Sequence, residues 1–409
     1  MTDHTPRETN EEFLARLLGG DFLLWSPNIQ AEGFLNWDRI FATRTIAHGT
    51  QKPLARSAIE LDITYEHNGE QWGIDDLMRD EHVSGLLVVK DETIMLERYA
   101  MGLTADGRWQ SSSMVKSLTS CLIGAAIHDG LIASVDDPVT HYLDDFAGTA
   151  YQDVTIRHLL TMSSGIEWSE NTDDLHSDVA ENYIKVIAAR TRGGITEYLK
   201  TRALAVAPGT QYYYNTGDTF LLGLILRTVT GRTVSDYCSE KIWNPMGMEQ
   251  DGFFILDGND GDEIVGSCCG ASLRDYARWG LFMLRDGVVD GQRILPEGWV
   301  SEATSTIAPD FSFNFEGIRG LKTAATAAHA GYGYLWWINW DSSYEALGSY
   351  GQWIYVNPAE NVVVVILGAI PRVPYMSHDE AAAVADSSHL GSPRRSAFIR
   401  AAVSALGKS

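Results

Sequence analysis

The sequence predicts an α/β (α+β) protein, an antiparallel sheet flanked by helices with an all-helical lobe inserted into it. Three observations carry this. Strand patterns cluster before residue 101 and again after residue 346. Helical patterns fill most of the span between them. A very apolar helix opens at Ser113, where the two regimes meet. At 409 residues with 45% hydrophobic content the chain can bury a large core, and its length suggests two or three lobes. The expected divisions are an N-terminal arm over 1–53 lying on the body, a sheet lobe from 54–112 plus 266–409, and a helical lobe over 113–265. The active site is expected at the junction.

The elements follow in order. Residues 1–53 lack periodicity, yet Trp25, Phe34 and Trp37 suggest an arm packed on the body. Over Val83–Met101 two β-rich runs flank the polar Lys90-Asp91-Glu92, which reads as a hairpin. The helix from Ser113 runs to about His128 and stops at Asp129-Gly130. A loop over Ile132–Asp145 contains Asp136-Asp137-Pro138, and Thr155–Met162 reads as a short helix before Ser164-Gly165. From 166 to 265 helical patterns dominate, including Thr219–Val229 and Thr233–Lys241, and Gly270–Leu284 looks helical again. The tail supplies three strands, Ala346–Tyr350, Gln352–Val356 and the β-branched run Val362–Ile370, then a helix over Arg395–Leu406.

Composition narrows the function. The formal charge is −23, from 54 acidic against 31 basic residues, so the surface repels nucleic-acid phosphates and anionic lipid. No apolar run is long enough to cross a bilayer, and Met1–Phe13 has no basic or apolar leader, so a cytoplasmic protein is expected. Four cysteines, Cys121, Cys238, Cys268 and Cys269, show no metal or redox spacing. Neither a cofactor nor a metal is expected. Twelve tryptophans and seventeen tyrosines suit an aromatic pocket.

The chemistry starts at Ser113-Met114-Val115-Lys116. Residues three apart on a helix share a face, so hydroxyl and amine come within reach. A serine that lacks a histidine partner needs such a base. No other lysine in the chain has a serine three residues before it, and a lysine heading so apolar a helix needs a partner or a task. Tyr213-Tyr214-Asn215 follows Pro208-Gly209-Thr210 in a loop ahead of a helix. In an extended loop Tyr213 and Asn215 point the same way and could both face Ser113; taken alone, a surface turn with an N-cap at Asn215 or Thr216 is the simpler reading. Gly348-Ser349-Tyr350-Gly351-Gln352 is a candidate cleft edge, with Gly351 letting a carbonyl lie close to backbone. An N–H from this edge, with that of Ser113, would form an oxyanion hole. Trp168, Tyr334, Trp336, Trp337 and Tyr350 are candidate pocket residues, each equally readable as core. There is no Gly-x-Ser-x-Gly, His-Glu-x-x-His, P-loop or Gly-x-Gly-x-x-Gly pattern.

Ser113-x-x-Lys116, Tyr213-x-Asn215 and the glycine-containing tail strand resemble, in this order, the serine β-lactamase and penicillin-binding-protein superfamily. The Tyr-x-Asn form is similar to its class C branch, as are Asp136-Asp137-Pro138, Pro208-Gly209-Thr210, Asn244-Pro245-Met246-Gly247-Met248 and Arg274-Asp275-Tyr276-Ala277-Arg278. Within that branch the chain resembles cytoplasmic carboxylesterases and 6-aminohexanoate-dimer hydrolases. The resemblance implies a β-lactamase-like fold, acylation of Ser113, base and acid roles shared by Lys116 and Tyr213, and the Gln352 N–H completing the oxyanion hole. It also implies substrate contacts from Asn215 and from Thr172, at the place of a substrate-binding tyrosine, and a homodimer by family analogy. Where the family often has Lys-Thr-Gly or His-x-Gly, Ser349-Tyr350-Gly351 carries no cation, which removes the usual partner of a β-lactam carboxylate. The expected activity is hydrolysis of small carboxylic esters. The alternatives are a linear-amide (6-aminohexanoate-oligomer) hydrolase and a non-catalytic binding protein of the same fold.

Overall fold

The computed structural model describes residues 27–171, 174–309, 311, 329–370 and 393–407. An eight-stranded sheet runs, in spatial order, through His329–Tyr332, Trp337–Asn339, Tyr344–Gly348, Gln352–Asn357, Val362–Gly368, Val83–Lys90, Thr93–Tyr99 and Ala55–Arg56. All pairs are antiparallel except the last, where Ala55 pairs in parallel with Thr93. The centre is the join between the two ends of the chain: Val365 lies opposite Leu87 on one side and Ile354 on the other. Val362–Gly368 is buried along its whole length. That explains why it reads as a continuous β-branched run rather than an alternating one: neither face is open to water. Leu273–Leu284 is one of the covering helices. A side chain at Gly280 would strike Val363 at 2.6 Å, so the helix backbone lies directly on the sheet.

The strand positions read from the tail lie within a few residues of the observed ones. His329–Tyr332 and Trp337–Asn339 add two more at the sheet edge. The helical lobe needs a correction. Gly252–Ile255, within 113–265, is a buried strand. It pairs with Thr43–Ile46 and with Cys269–Ala271 in a second sheet of four strands. The short apolar run Gly252-Phe253-Phe254-Ile255 has no periodicity that separates strand from helix.

The described part of the arm forms helices Pro27–Leu35 and Trp37–Ile40 followed by strand Thr43–Ile46. Phe34 and Trp37 are buried, and Phe34 meets Trp109 edge-on at 5.6 Å; Trp25 lies outside the described residues. The apolar helix Val115–His128 is buried at every position from Val115 to Ala126. It packs between helix Thr216–Thr230 and the strand Tyr344–Gly348, which is why no polar face is needed on its first three turns. Among the described residues, no helix is long and apolar enough to cross a membrane.

Candidate active site

Ser113 sits in a 3-10 turn, Ser112–Met114, that carries strand Trp109–Gln110 into the buried helix. Ser112 has a left-handed φ of 44°, an uncommon conformation for a residue with a side chain. Its neighbours hold it there. Gln110 Oε1 accepts from both the Ser112 amide and its hydroxyl, and Ser111 Oγ donates to Ser112 O at 2.9 Å while accepting from Cys269 N. Strain fixed in this way is common at reactive centres, because it fixes where the next side chain points.

Lys116 is buried, 1% exposed, and its Nζ donates to Ser113 Oγ at 3.0 Å, to Thr216 Oγ1 at 3.0 Å and to the Gly266 carbonyl. Burial disfavours the ammonium and brings its pKa down to about 8, against the opposing pull of the Glu170 carboxylate. So the spacing read from the sequence does bring hydroxyl and amine together, with the amine's pKa brought down towards the neutral range.

The tyrosine beside Ser113 is Tyr214, where the sequence reading had placed Tyr213. Tyr213 donates its hydroxyl to the Trp168 carbonyl at 2.6 Å, and its backbone N–H bonds Met162 O. The Tyr214 ring lies 4.8 Å from Lys116 Nζ and stacks on Trp337 at 6.1 Å. Burial raises the Tyr214 phenol well above its ordinary range, and its hydrogen bond with Ser113 works against that rise. The alternation of side chains holds but the register is shifted by one: Tyr214 and Thr216 face the serine and lysine. Asn215 is instead the N-cap of helix Thr216–Thr230, its Oδ1 accepting from Asp218 N at 3.2 Å. The Asn-x-x-Asp spacing was the available signal, because an N-cap side chain turns back onto its own helix.

Around Ser113 is a small cavity of about 60 Å³, walled by Phe34 and Trp37 of the arm, by Glu170, Tyr183 and Cys268, and by Ser349 and Tyr350. The arm residues and Glu170 were not expected there. Glu170 Oε1 accepts from Trp168 Nε1 at 2.7 Å and from the backbone N–H of Thr216. Burial lifts the Glu170 carboxyl above its ordinary range, partly offset by Lys116.

The remaining candidates separate. Tyr350 lines the cleft, with a left-handed φ of 66°. Trp168 stands behind Glu170 and meets Tyr198 edge-on. Tyr334 does not line the cleft: its hydroxyl joins Arg157 and Glu302. Trp336 is core, edge-on to Tyr344 at 5.2 Å. Both had equal claims as pocket and as core from sequence, and burial decides for core. Thr172 lies outside the described residues. Gln352 pairs with Gly348 across the hairpin, and its buried side chain bonds Trp109, Ser349 and Gly368.

Gly351 is glycine for another reason than substrate access. Its φ is 87°, and a Cβ there would lie 2.2 Å from Nη1 of the buried Arg395, which donates to Gly351 O at 2.7 Å. The glycine that lets the sheet approach the serine is Gly348, where a Cβ would meet Ser111 O at 2.3 Å. Gly351→Ala is therefore expected to destabilise the fold by about 1–3 kcal/mol from the backbone alone, with further loss from displacing Arg395. Urea unfolding of both proteins checks this, and an unchanged midpoint would refute the packing argument.

A family model described as Beta-lactamase matches residues 74–386. The chain is 26% identical over 292 residues to a 6-aminohexanoate-dimer hydrolase of Paenarthrobacter ureafaciens, covering 70% of this chain and 72% of that protein. Among solved structures, a protein named provisionally as a 6-aminohexanoate-dimer hydrolase from Bacillus anthracis superposes with a TM-score of 0.73 at 22% identity, over 94% of this chain and 98% of its own. A family VIII carboxylesterase gives a TM-score of 0.59 at 15% identity, over 80% and 94%. These two likenesses establish a shared fold.

Proposed function

The chain belongs to the Beta-lactamase family of serine hydrolases, and we propose that within it this protein hydrolyses small carboxylic esters through an acyl-Ser113 intermediate. The observation that carries the reading is the contact of 3.0 Å between Ser113 Oγ and the Nζ of a buried, pKa-depressed Lys116. Neutral Lys116 takes the hydroxyl proton as Ser113 Oγ attacks the substrate carbonyl. The oxyanion is held by the backbone N–H groups of Ser113 and Gln352. Collapse expels the alcohol, which receives the proton through Tyr214, placed against both Ser113 and Lys116. Water then attacks the acyl carbonyl, gives its proton to the same relay, and releases the acid while Ser113 recovers its hydrogen. Tyr214 takes the role that the sequence motif had given to Tyr213.

Esters are favoured over β-lactams because no cation faces the cleft from Ser349-Tyr350-Gly351. Among the described residues the guanidinium beside that turn, Arg395, is committed to Gly351 O and Glu81 O. A second reading, linear-amide hydrolysis, draws on the likeness to the Paenarthrobacter ureafaciens protein. A mere binding protein has no use for a serine joined to a lysine that is stripped of water.

The test is hydrolysis of p-nitrophenyl butyrate, with nitrocefin in parallel and intact-mass and peptide mapping after a fluorophosphonate probe. Ester turnover is expected with one phosphonyl group on Ser113, and nitrocefin turnover at least about 10³-fold slower. Turnover with the label on another residue, or nitrocefin cleaved as fast as the ester, would overturn the proposal.

A further inference from the structure

Part of the wall around Ser113 comes from the N-terminal arm. Phe34 and Trp37 line the cavity, and both lie upstream of residues 74–386, the span matched by the family model. Their rings are 5.7 Å apart, and Phe34 lies 5.3 Å from the ring of Tyr350, which lines the same space. All three are buried, none more than 9% exposed. The arm is fastened around these rings. Phe34 packs edge-on against Trp109, Asp38 pairs with Arg108, and Thr43–Ile46 is joined residue by residue to Gly252–Ile255. A wall held by ring contacts, an ion pair and a strand pairing does not swing aside for the loss of one contact. The cavity of about 60 Å³ has room for about five water-sized groups. That matches the heavy atoms of a butanoyl group and falls well short of an octanoyl one. In acyl transfer the alcohol departs first while the acyl group stays joined to the serine. An enclosed space suits the group that stays, whereas the alcohol needs an open exit. Tyr350 stands two residues before Gln352, so a carbonyl held by the Gln352 N–H has these rings beside it.

We propose that Phe34 and Trp37 of the arm, with Tyr350, close the end of the acyl pocket and restrict the enzyme to esters of short acids, up to about four carbons. The inference rests on the serine-hydrolase reading and names its substrate class. In an open apolar cleft each further methylene would gain by burial, by about fourfold in kcat/KM. Against packed rings a further carbon has to displace side chains, and overpacking costs more than the added burial returns. A six-carbon acyl chain, as the linear-amide reading requires, meets the same wall.

The experiment measures kcat/KM for the p-nitrophenyl esters of acetate, butyrate, hexanoate and octanoate, and for ethyl against octyl butyrate. In the wild-type protein the octanoate ester is expected to lie about 30-fold or more below the butyrate ester. The two alkyl butyrates, which differ only in the alcohol, are expected to stay within about fivefold of each other. Phe34→Ala is expected to raise the octanoate-to-butyrate ratio by about tenfold or more. A ratio taken on one preparation is indifferent to the fraction of folded enzyme. Should Phe34→Ala yield no folded protein, Phe34→Leu gives the same reading with a rise of about threefold. An octanoate ester turned over as fast as butyrate by the wild type overturns the proposal while leaving ester hydrolysis intact. So does a ratio that the Phe34 variant leaves unchanged, or octyl butyrate rejected as strongly as the octanoate ester. If the wild type turns over none of the esters, acetate included, the serine-hydrolase reading fails and the inference falls with it.

Discussion

Ser113→Ala and Lys116→Met are each expected to lower kcat/KM for p-nitrophenyl butyrate by about 10³-fold or more, with folding retained. Serine and lysine act as one unit, so the double variant should be little worse than either single one. Methionine fills the lysine's volume but cannot accept a proton. The pH profile gives an independent reading of the same group. Lys116 must be neutral to act as base, and burial brings its pKa down to about 8. The wild-type kcat/KM should therefore rise from pH 6 and level off above about pH 8; a lysine in water, near 10.4, would keep the rate climbing for two further pH units. Stopped assays from pH 6 to 9.5 check this. A flat profile, or Lys116→Met within tenfold of wild type, would remove Lys116 from the mechanism.

Tyr214→Phe is expected to cost about 10²–10³-fold in kcat, the range typical of a lost proton-transfer group. Tyr213→Phe should stay within about threefold of wild type. The contrast follows from where each hydroxyl lies: Tyr213 on the Trp168 carbonyl, Tyr214 on Ser113. Tyr213→Phe should instead appear in stability, by about 0.5–1.5 kcal/mol for the lost hydrogen bond. Measuring kcat and unfolding midpoints for both variants separates the roles. If Tyr213→Phe is the inactive one, the register given by the structure is wrong and the motif spacing was right.

Much of this protein was legible before any coordinates. Ser113 and Lys116 could be paired because helical geometry is local: a spacing of three fixes a shared face whatever surrounds it. The same holds for the hairpin Val83–Tyr99 and the buried run Val362–Gly368, whose side-chain patterns report burial directly. Tyr213 was chosen over Tyr214 because alternation tells which residues share a direction but not which set faces inward. That choice fell to the cap at Asn215, whose side chain closes on Asp218 N and starts the helix there.

The sequence by itself determined the pairing of Ser113 with Lys116, the buried helix that follows Ser113, and the central strands of the sheet. Tertiary structure decided what surrounds them. Phe34 and Trp37 reach the cleft from a segment about 80 residues upstream of Ser113, Glu170 from nearly 60 downstream, and Ser349 and Tyr350 from the tail. No spacing rule links residues that far apart, since only the packing of separate elements brings them together. The glycines make the same point. Gly348 and Gly351 look alike in sequence, yet one is required by Ser111 and the other by Arg395. The depressed Lys116 likewise follows from burial rather than from its motif, because desolvation depends on every neighbour at once.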